Sequence, residues 1–325
     1  MTVAITGATG VVGGAVLTQL RKAGHHVKAL VRSEEAGRAL GVEAVIGSLE
    51  NAGSLRALVD GADTVYHVAG RNEMCPIDRR ALYRVNVNGT EAVLAALRAT
   101  SCGRLVYTSS AATIGEPAGI IGTEETPHRA SFTSHYERSK YQAEQVVASA
   151  TDIDRVIVNP SSVQGPGRAT GTGKLILDLV NGKLPALVRT RVSIVDIEDC
   201  ALAHLLAAEK GKSGERYLIS GFSLEIGEAV GIAEEILGRS LPVRWLPASL
   251  ASVAAGITEI MFRTVRRKPP FCREMVRTLR HGHTYDGSKA TRELGLTYRS
   301  PQDTMSRLLD WFRSQGLLIG AGPYT

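Results

Sequence analysis

Tyr136 and Lys140 stand four residues apart in a stretch whose pattern predicts a helix. On a helix this spacing places both side chains on one face. A free tyrosine hydroxyl titrates at about pH 10, too high for a base at neutral pH, but a nearby ammonium group favours the phenolate and lowers its pKa. Such a pair can pass a proton to or from the oxygen of an alcohol or a carbonyl group. Taken alone, the spacing is common by chance and equally typical of an ordinary exposed helix.

Two serines, Ser109 and Ser110, follow a predicted strand over Arg104–Thr108. In an open parallel sheet the carboxyl ends of the strands line the ligand crevice. A serine hydroxyl there can donate to a substrate carbonyl and stabilise the alkoxide that develops during reaction. Because side chains alternate along a strand, we expect only one of the two serines to face the site.

Three glycines, Gly7, Gly10 and Gly13, follow the first predicted strand and open the first predicted helix. In a dinucleotide site one such glycine allows the tight turn, one lets backbone N–H groups approach a pyrophosphate, and one lets helix and strand pack closely. The helix N-terminus adds partial positive charge for the anion. This context predicts a bound dinucleotide rather than a simple turn.

Arg32 and Ser33 follow the second predicted strand, where an acidic residue would hydrogen-bond the ribose of NAD. No acid appears between this strand and Glu34. A guanidinium can form a fork with a 2′-phosphate, and a serine hydroxyl can add a hydrogen bond. The sequence therefore favours NADP over NAD, although Arg32 is also compatible with a plain surface arginine.

The elements that must hold these residues alternate between short apolar strands and amphipathic helices. This pattern predicts an α/β fold with a doubly wound parallel sheet, a Rossmann domain over residues 1–160. Residues 161–325 are expected to form mostly a smaller C-terminal substrate-binding lobe, with parts of about 190–221 returning to the Rossmann sheet. Two late strands are predicted there, Val192–Val195 and Arg216–Ile219. Their return to the Rossmann sheet is expected because each strand needs a neighbouring strand. The pattern also predicts one continuous helix over Ala81–Ala99 and a strand over Leu241–Leu246.

The composition excludes several classes of protein. Of the 325 residues 44% are hydrophobic and 22% charged, which is ordinary for a globular protein and unlike a disordered or fibrous chain. Aromatic residues make up only 5%, so stacking platforms for nucleic acid are not expected. His281 and His283 have strand spacing but no evident third ligand, so we expect plain surface histidines and no metal site. The cysteines form no Cys-x-x-Cys pair, so we expect neither a zinc site nor a disulfide, and a reducing, cytoplasmic location. They are Cys75, Cys102, Cys200 and Cys272.

One stretch of the chain is strongly basic. Between Arg244 and Arg280 there are eight basic residues and two acidic ones, an excess equal to the net charge of +6 of the whole chain. A solvated helix face is the plain interpretation, and an anionic ligand or surface is the alternative. The apolar segment Ala248–Phe262 is too short to span a bilayer, which takes about 20 residues. Peripheral membrane contact near 248–268 and an ordinary core helix are the two interpretations that remain.

Together these motifs resemble the extended short-chain dehydrogenase/reductase family over nearly the whole chain. The resemblance rests on Thr6–Gly13, His67–Gly70, Asn86–Thr90, Tyr107–Ala111, Tyr136 with Lys140, Asn159–Gly167, Val195–Asp199 and Lys289–Gly295. It implies a catalytic triad of Ser110, Tyr136 and Lys140, with Ser110 preferred over Ser109 because it directly precedes Ala111. Tyr136 would be the general acid/base, and Lys140 would hold the nicotinamide ribose and tune Tyr136.

The resemblance also implies the remaining cofactor contacts. In the family an acid often meets the adenine amine after the third strand, whereas this chain has Ser48 and Leu49. The implied contacts are Gly7, Thr9, Gly10, Val11 and Val12 near the pyrophosphate, Arg32 and Ser33 near the ribose, Ser48 and Leu49 near the adenine, Val68, Ala69, Gly70 and Asn86 along the cofactor, and Pro160, Ser161, Ser162 and Val163 by the nicotinamide, together with Tyr136 and Lys140.

The branch within the family is indicated by two further segments. Members that act on sugar nucleotides commonly carry Asn-Val-Tyr-Gly where this chain has Ser162–Gly165. The segment from Ile157 to Gly167 and the basic stretch at Lys268–Phe271 are more similar to the dihydroflavonol-reductase-like and 3β-hydroxysteroid-dehydrogenase-like branch.

Three functions are therefore considered. The first is an NADP(H)-dependent oxidoreductase that interconverts a ketone or aldehyde and an alcohol, with a small-molecule substrate as its partner and hydrophobic compounds among the candidates. The alternative is a nucleotide-sugar epimerase or dehydratase with tightly bound NAD(P). A sensor that binds a dinucleotide without chemistry is disfavoured because such relatives usually lack the Tyr/Lys pair. No nucleic-acid partner is expected, and a homodimer is a weak expectation from the family.

Overall fold

A computed structural model of the protein describes residues 1–100, 102–184 and 186–319. The strands are β1 Thr2–Thr6, β2 His26–Val31, β3 Glu43–Ile46, β4 Thr64–His67, β5 Arg104–Thr108, β6 Ile121–Gly122, β7 Arg155–Pro160, β8 Ser162–Gln164, β9 Arg191–Asp196, β10 Arg216–Ile219, β11 Phe222–Glu225 and β12 Thr284–Tyr285. The helices are α1 Val11–Lys22, α2 Glu34–Leu40, α3 Ala52–Val59, α4 Arg80–Tyr83, α5 Gly89–Arg98, α6 His135–Ser149, α7 Thr172–Val180, α8 Ile197–Lys210, α9 Ile226–Leu237, α10 Ala248–Thr264, α11 Arg273–His281 and α12 Pro301–Ser314.

A seven-stranded parallel sheet forms the centre of the molecule, in the order β10-β7-β5-β4-β1-β2-β3. Most of its strands are runs of Val, Ile, Leu and Ala that are buried on both faces, as a parallel sheet covered by helices requires. The chain reverses its direction of progress across the sheet between β1 and β4, where doubly wound sheets bind their ligands. The predicted α/β Rossmann architecture is confirmed.

Helices cover both faces of this sheet. On one face α1 packs against α8, and Leu17, Leu20 and Ala203 belong to the same buried cluster. On the other face α3, α5 and α6 form a second cluster that includes the fully buried Leu55 and Leu58. Full burial of a leucine contributes about 2 kcal/mol relative to exposure. These two cores hold the strand ends of the sheet in fixed register.

The later part of the chain divides between the main sheet and a separate lobe. The strand β10 adds to the edge of the main sheet beside β7, with Arg216 opposite Ile157. The strand β9 instead lies in a three-stranded sheet with β8 and β11. A further apolar core joins α9 to α12, with Phe312 and Leu308 at its centre. The domain boundary near residue 160 stays a prediction.

Two elements differ from the sequence-based expectations. The segment 241–246 is not a strand: Trp245 makes a single bridge to Leu187, and Pro242 and Pro247 lack the N–H donors of a ladder. The helix expected over Ala81–Ala99 is present as a helical run over residues 80–98, but a π-helical turn over Arg84–Asn88 lies between α4 and α5. Such turns are frequent at functional sites, and this one carries Asn86.

Candidate active site

The glycine loop has the backbone geometry that an anion site needs. Gly7 has φ +79°, and a Cβ on it would lie 2.6 Å from the backbone nitrogen of Ala69. A Cβ on Gly13 would lie 2.1 Å from the carbonyl oxygen of Gly7. Gly10 is the N-cap of α1 and carries no side-chain cap, so no side chain of its own satisfies the first N–H groups of this helix. The three glycines therefore form a cradle that any side chain would fill, and the residues fit a pyrophosphate.

The predicted neighbours of this cradle lie on the glycine loop, at the start of α1 and just after β4. Thr9 is exposed on the loop, and Val11 and Val12 are half-buried at the start of α1. Val68 and Ala69 come directly after β4, and the Ala69 N–H donates to Thr6 Oγ1 at 3.2 Å. This contact fixes the loop after β4 against the glycine loop.

Arg32 is exposed at the carboxyl end of β2, and within the described part of the chain it makes no ion pair. Ser33 has a structural task that the sequence did not reveal: it is the N-cap of α2, and its hydroxyl accepts from the Ala36 N–H at 3.2 Å. The acid that follows, Glu34, pairs with Arg38 along the helix at 3.4 Å. The Arg32 guanidinium is thus left available to an anionic ligand.

Ser48 and Leu49 follow β3 and are half-buried. The Ser48 hydroxyl accepts from the Glu50 N–H at 3.3 Å. Leu49 packs on α5 so closely that a Cβ on Gly89 would lie 2.7 Å from Leu49 Cδ1. In the structure this pair organises the turn after β3, and its contact with adenine stays a prediction.

Asn86 is buried and ties the loop after β4 to α6. Its Oδ1 accepts from the Arg71 N–H at 2.7 Å, and its Nδ2 donates to the Arg71 carbonyl at 3.0 Å and to Ser139 Oγ at 2.9 Å. Gly70 borders the same spot, since a Cβ there would lie 3.4 Å from Asn86 Oδ1 and 3.7 Å from Lys140 Nζ. Asn86 therefore positions the loop that flanks Lys140.

The two serines after β5 face different surroundings. Ser109 Oγ is buried and donates to the Glu144 carboxylate at 2.5 Å. Ser110 is half-buried, and its hydroxyl lies near Tyr136, where it acts to lower the pKa of the phenol. The structure thus brings Ser110, and not Ser109, to the tyrosine. Their catalytic roles stay a prediction.

Tyr136 lies in the first turn of α6, and burial raises the pKa of its hydroxyl. Two groups act against this rise: the Ser110 hydroxyl and the positive charge of Arg168. The predicted lowering of the Tyr136 pKa by Lys140 stays a prediction, and the net pKa of the phenol is raised. The reason is desolvation, which disfavours the charged phenolate.

Lys140 lies one turn further along α6 and is buried. Its Nζ donates to the Thr108 carbonyl at 2.7 Å and to the Tyr107 hydroxyl at 3.2 Å. The ammonium also lies 4.8 Å from the centroid of the Tyr107 ring. Burial lowers the pKa of Lys140 to about 8, and Glu144 opposes this change. The lysine therefore anchors α6 to the end of β5.

Arg168 is a site residue that the sequence did not point to. It lies after β8 in a glycine-rich loop, and burial lowers the pKa of its guanidinium while the neighbouring Tyr136 opposes the change. Its Nε is buried with no hydrogen-bond partner, and it makes no ion pair in the described parts of the chain. The only sequence pattern that could have indicated Arg168 is an arginine between two glycines, Gly167 and Gly171. Both glycines have positive φ in the structure.

The segment after β7 presents an unpaired hydroxyl. The Ser161 N–H donates to the Ile219 carbonyl at 2.9 Å, whereas Ser161 Oγ is buried without a partner. Pro160 ends β7, while Ser162 begins β8 and Val163 is buried within it. A buried polar atom without a partner is uncommon in folded proteins and is satisfied when a ligand supplies the partner.

A buried carboxylate, also missed from the sequence, organises these strand ends. Glu144 Oε2 accepts from Thr113 Oγ1 at 2.6 Å and from Asn159 Nδ2 at 2.6 Å, in addition to Ser109. Its other oxygen lies 3.3 Å from a guanidinium nitrogen of Arg216. The Asn159 amide also donates to the Ser110 carbonyl at 3.2 Å. Glu144 thus joins α6, β7 and β10 beneath Ser110.

Two expectations outside the site need correction. His281 and His283 are not plain surface groups, because His283 Nδ1 lies 2.6 Å from a carboxylate oxygen of the buried Glu116 and His281 Nε2 lies 3.0 Å from its carbonyl. The four cysteines are not all free, because Cys75 and Cys272 form a disulfide across 197 residues of sequence. Spacing rules read only local pairs and could not find either contact.

Among the helices of the described residues, none combines the length and the apolar character that crossing a bilayer would take.

Comparison with known proteins places these observations in a family. The NAD dependent epimerase/dehydratase family matches residues 3–220. The chain is 32% identical to Sterol demethylase protein B of Methylococcus capsulatus, over 98% of this chain and 100% of that protein. It is 31% identical to the 4-hydroxy-2-methyl-3-oxo-4-farnesyl-3,4-dihydroquinoline-1-oxide ketoreductase of Stigmatella aurantiaca, over 96% of each chain. Among solved structures, the crystal structure of gox2253 is 31% identical and superposes with a TM-score of 0.84, covering 98% of this chain and 99% of that one.

Proposed function

The chain belongs to the NAD dependent epimerase/dehydratase family, and on this basis we propose that it is an NADP(H)-dependent oxidoreductase that interconverts a ketone or aldehyde and the corresponding alcohol. The observation that carries the proposal is that the Ser110 hydroxyl, just after β5, lies close enough to the Tyr136 phenol to lower its pKa. The Stigmatella aurantiaca relative is named a ketoreductase, which supports reduction of a carbonyl group.

The residues around the glycine loop suit a dinucleotide. Its pyrophosphate would lie at the start of α1, where no side chain caps the first N–H groups of the helix. The residues that would hold it there are Gly7, Thr9, Gly10, Val11 and Val12. Arg32, with Ser33 beside it, would bind a 2′-phosphate. The remaining contacts are assigned to Ser48, Leu49, Val68, Ala69, Gly70, Asn86, Pro160, Ser161, Ser162 and Val163. When bound, the nicotinamide supplies or accepts the hydride.

Tyr136 is poised as an acid. Because burial raises its pKa, the phenol keeps its proton at neutral pH, as the reduction of a carbonyl group requires. The substrate oxygen would accept a hydrogen bond from Ser110 and then the proton of Tyr136 as negative charge develops on it. The phenolate that remains would be stabilised by the Ser110 hydroxyl and by the charge of Arg168, which acts as an electrostatic partner. The O–H bond of Tyr136 breaks and the O–H bond of the alcohol forms, so the proton is accounted for.

Replacing Tyr136 by phenylalanine tests this proposal. Loss of a general acid lowers turnover by about 10²- to 10⁴-fold. We expect Tyr136→Phe to lower kcat for NADPH-dependent carbonyl reduction by this factor while the Kd for NADPH stays within about twofold of the wild-type value, because the ring remains in place. The matched control is Tyr141→Phe on the same helix, whose ring packs on His128 and Phe132. Full activity of Tyr136→Phe would overturn the acid role.

The same assay separates the alternative. An epimerase or dehydratase reduces and reoxidises its cofactor within one cycle, so it would release protein-bound NAD(P) on denaturation and give no net absorbance change with any carbonyl substrate. Carbonyl-dependent consumption of NADPH at the wild-type enzyme is the result that the proposal expects.

A further inference from the structure

Helix α10 turns its large aliphatic side chains away from the protein. Residues 250, 253, 257, 260 and 261 fall on one side of the helix at a spacing of three to four residues. Their exposed fractions lie between 56% and 61%, and Val265 just beyond the helix is 62% exposed. The members of this outward face are Leu250, Val253, Ile257, Ile260, Met261 and Val265.

The inward side of α10 is made of small residues. Ala251, Ala255 and Gly256 are buried. A Cβ on Gly256 would lie 3.0 Å from the guanidinium of Arg273, so α11 lies close against this side. Glu259 secures the contact by pairing with Arg263 at 2.9 Å and accepting from the Arg273 N–H at 3.2 Å. The orientation of α10 is thus set by packing, and the apolar face is left toward solvent.

Positive charge borders the apolar face at its C-terminal end. Arg266 and Arg267 are exposed, and within the described residues neither makes an ion pair. Lys268 is also exposed but is paired with Glu73 at 2.8 Å. Arg277 and Arg280, exposed on α11, likewise make no ion pair within the residues the structure covers. A continuous apolar stripe beside unpaired arginines is the combination that binds an anionic lipid interface.

We propose that α10 docks the protein on a membrane surface that contains anionic lipids, with the apolar face lowered among the acyl chains and the arginines at the headgroups. An apolar face of this kind is not a nucleic-acid surface, because phosphate recognition has no use for six exposed aliphatic side chains. A second copy of the chain is the other candidate occupant of an apolar face, but anionic headgroups complement the arginines as well as the aliphatic side chains. This inference does not depend on the proposed function.

Vesicle binding of the full-length chain tests the proposal. Flotation with vesicles of equal parts phosphatidylcholine and phosphatidylglycerol should recover the protein, whereas vesicles of phosphatidylcholine alone should recover much less. Raising the salt concentration should weaken binding to the anionic vesicles, because the arginines are exposed.

Two variants divide the apolar and the charged contributions. Ile257→Ser with Ile260→Ser should abolish flotation, and Leu202→Ser, which changes an exposed leucine on α8, should not. Arg266→Gln with Arg267→Gln should weaken the affinity for anionic vesicles about thirtyfold, since each basic residue near such a surface contributes about 1 kcal/mol. The control Arg38→Gln should bind as the wild type does. Because all of these residues are exposed, the thermal midpoint of each variant should match that of the wild type.

Three results would overturn the proposal. The first is failure of the wild type to float with anionic vesicles. The second is equal flotation of the wild type and the double serine variant. The third is a wild-type dimer in light scattering that the same serine variant converts to monomer without any change in vesicle binding, which would assign the face to a second copy.

Discussion

At the scale of single residues, burial decides the protonation of the groups around Tyr136. Desolvation raises the pKa of the Tyr136 phenol and lowers the pKa of Lys140 to about 8. Both changes favour the neutral form, as removal from water always does. A neutral phenol is the form that donates a proton, which is the form that the proposed carbonyl reduction requires.

The lowered pKa of Lys140 predicts how the stability of the protein depends on pH. The unfolded chain holds a proton on this lysine up to its ordinary pKa of 10.5, whereas the folded protein releases it near pH 8. Since the unfolded state binds more protons between these values, stability from this group rises as the pH increases from 8 to 10.5. The wild type should therefore gain up to about 3 kcal/mol over Lys140→Met across this window, measured by urea unfolding.

The control for this experiment is Lys22→Met, an exposed lysine on α1, whose stability should follow the wild type at every pH. A difference between wild type and Lys140→Met that stays constant across the window would show that Lys140 has an ordinary pKa.

The exposed position of Arg32 leads to a prediction about the choice between NADPH and NADH. The Arg32 guanidinium is exposed and makes no ion pair with the described residues. It can therefore form a charge-assisted hydrogen bond with a 2′-phosphate without giving up an existing partner. Arg32→Ala should raise the KM for NADPH about 10- to 100-fold, because a hydrogen bond to a charged group contributes about 1.5–3 kcal/mol. The KM for NADH should change less than about twofold. Arg38→Ala on the neighbouring helix serves as the control, and equal losses for both cofactors would argue against the 2′-phosphate contact.

At the scale of the elements, the carboxylate of Glu144 is what connects α6 to the strand ends. It receives hydrogen bonds from Ser109 just after β5, from β7 and from the turn after Ser110, and it forms an ion pair with β10. Glu144→Gln removes the charge that these donors share, and we expect a loss of about 2 kcal/mol or more in unfolding free energy. Because Asn159 also holds the Ser110 carbonyl, kcat should fall more than KM rises.

The exposed Glu209→Gln on α8 is the matched control, with no change in either measurement. Wild-type kcat in a destabilised Glu144→Gln would restrict this residue to a purely structural role.

A feature could be predicted from the sequence when the residues that form it are neighbours in the chain. The glycine loop, the strand–helix alternation and the helix that carries Tyr136 are local patterns, and each was recognisable from neighbouring residues. Arg168 and Glu144 were not, because their partners are distant in sequence and meet only when the sheet has formed. The direction of the Tyr136 pKa also depends on tertiary burial, which no spacing rule contains. The specific substrate and the roles of the site residues stay predictions.

At the scale of the whole molecule, the Cys75–Cys272 disulfide joins the loop after β4 to the start of α11. Closing so long a segment restricts the unfolded chain, and removing such a link costs about 2–5 kcal/mol. Cys75→Ser should therefore lower the unfolding free energy by this amount and make it insensitive to dithiothreitol. The same reductant should destabilise the wild type and the control Cys102→Ser.

A thiol titration of the denatured, unreduced protein provides the direct check. Two reactive thiols, from Cys102 and Cys200, are expected. Four would mean that the link does not form under the conditions of purification. The cytoplasmic location and the homodimer expected from the sequence stay predictions beside this finding.

The position of β10 has a consequence for biosynthesis. Residues 216–219 close the edge of the main sheet next to β7, all six residues of which are buried. Until they leave the ribosome, the nascent chain carries an apolar strand with an open backbone edge, a recognised template for aggregation. A gene fragment that stops at residue 160 would make this exposure permanent, so we expect the first half of the chain to aggregate when it is expressed alone.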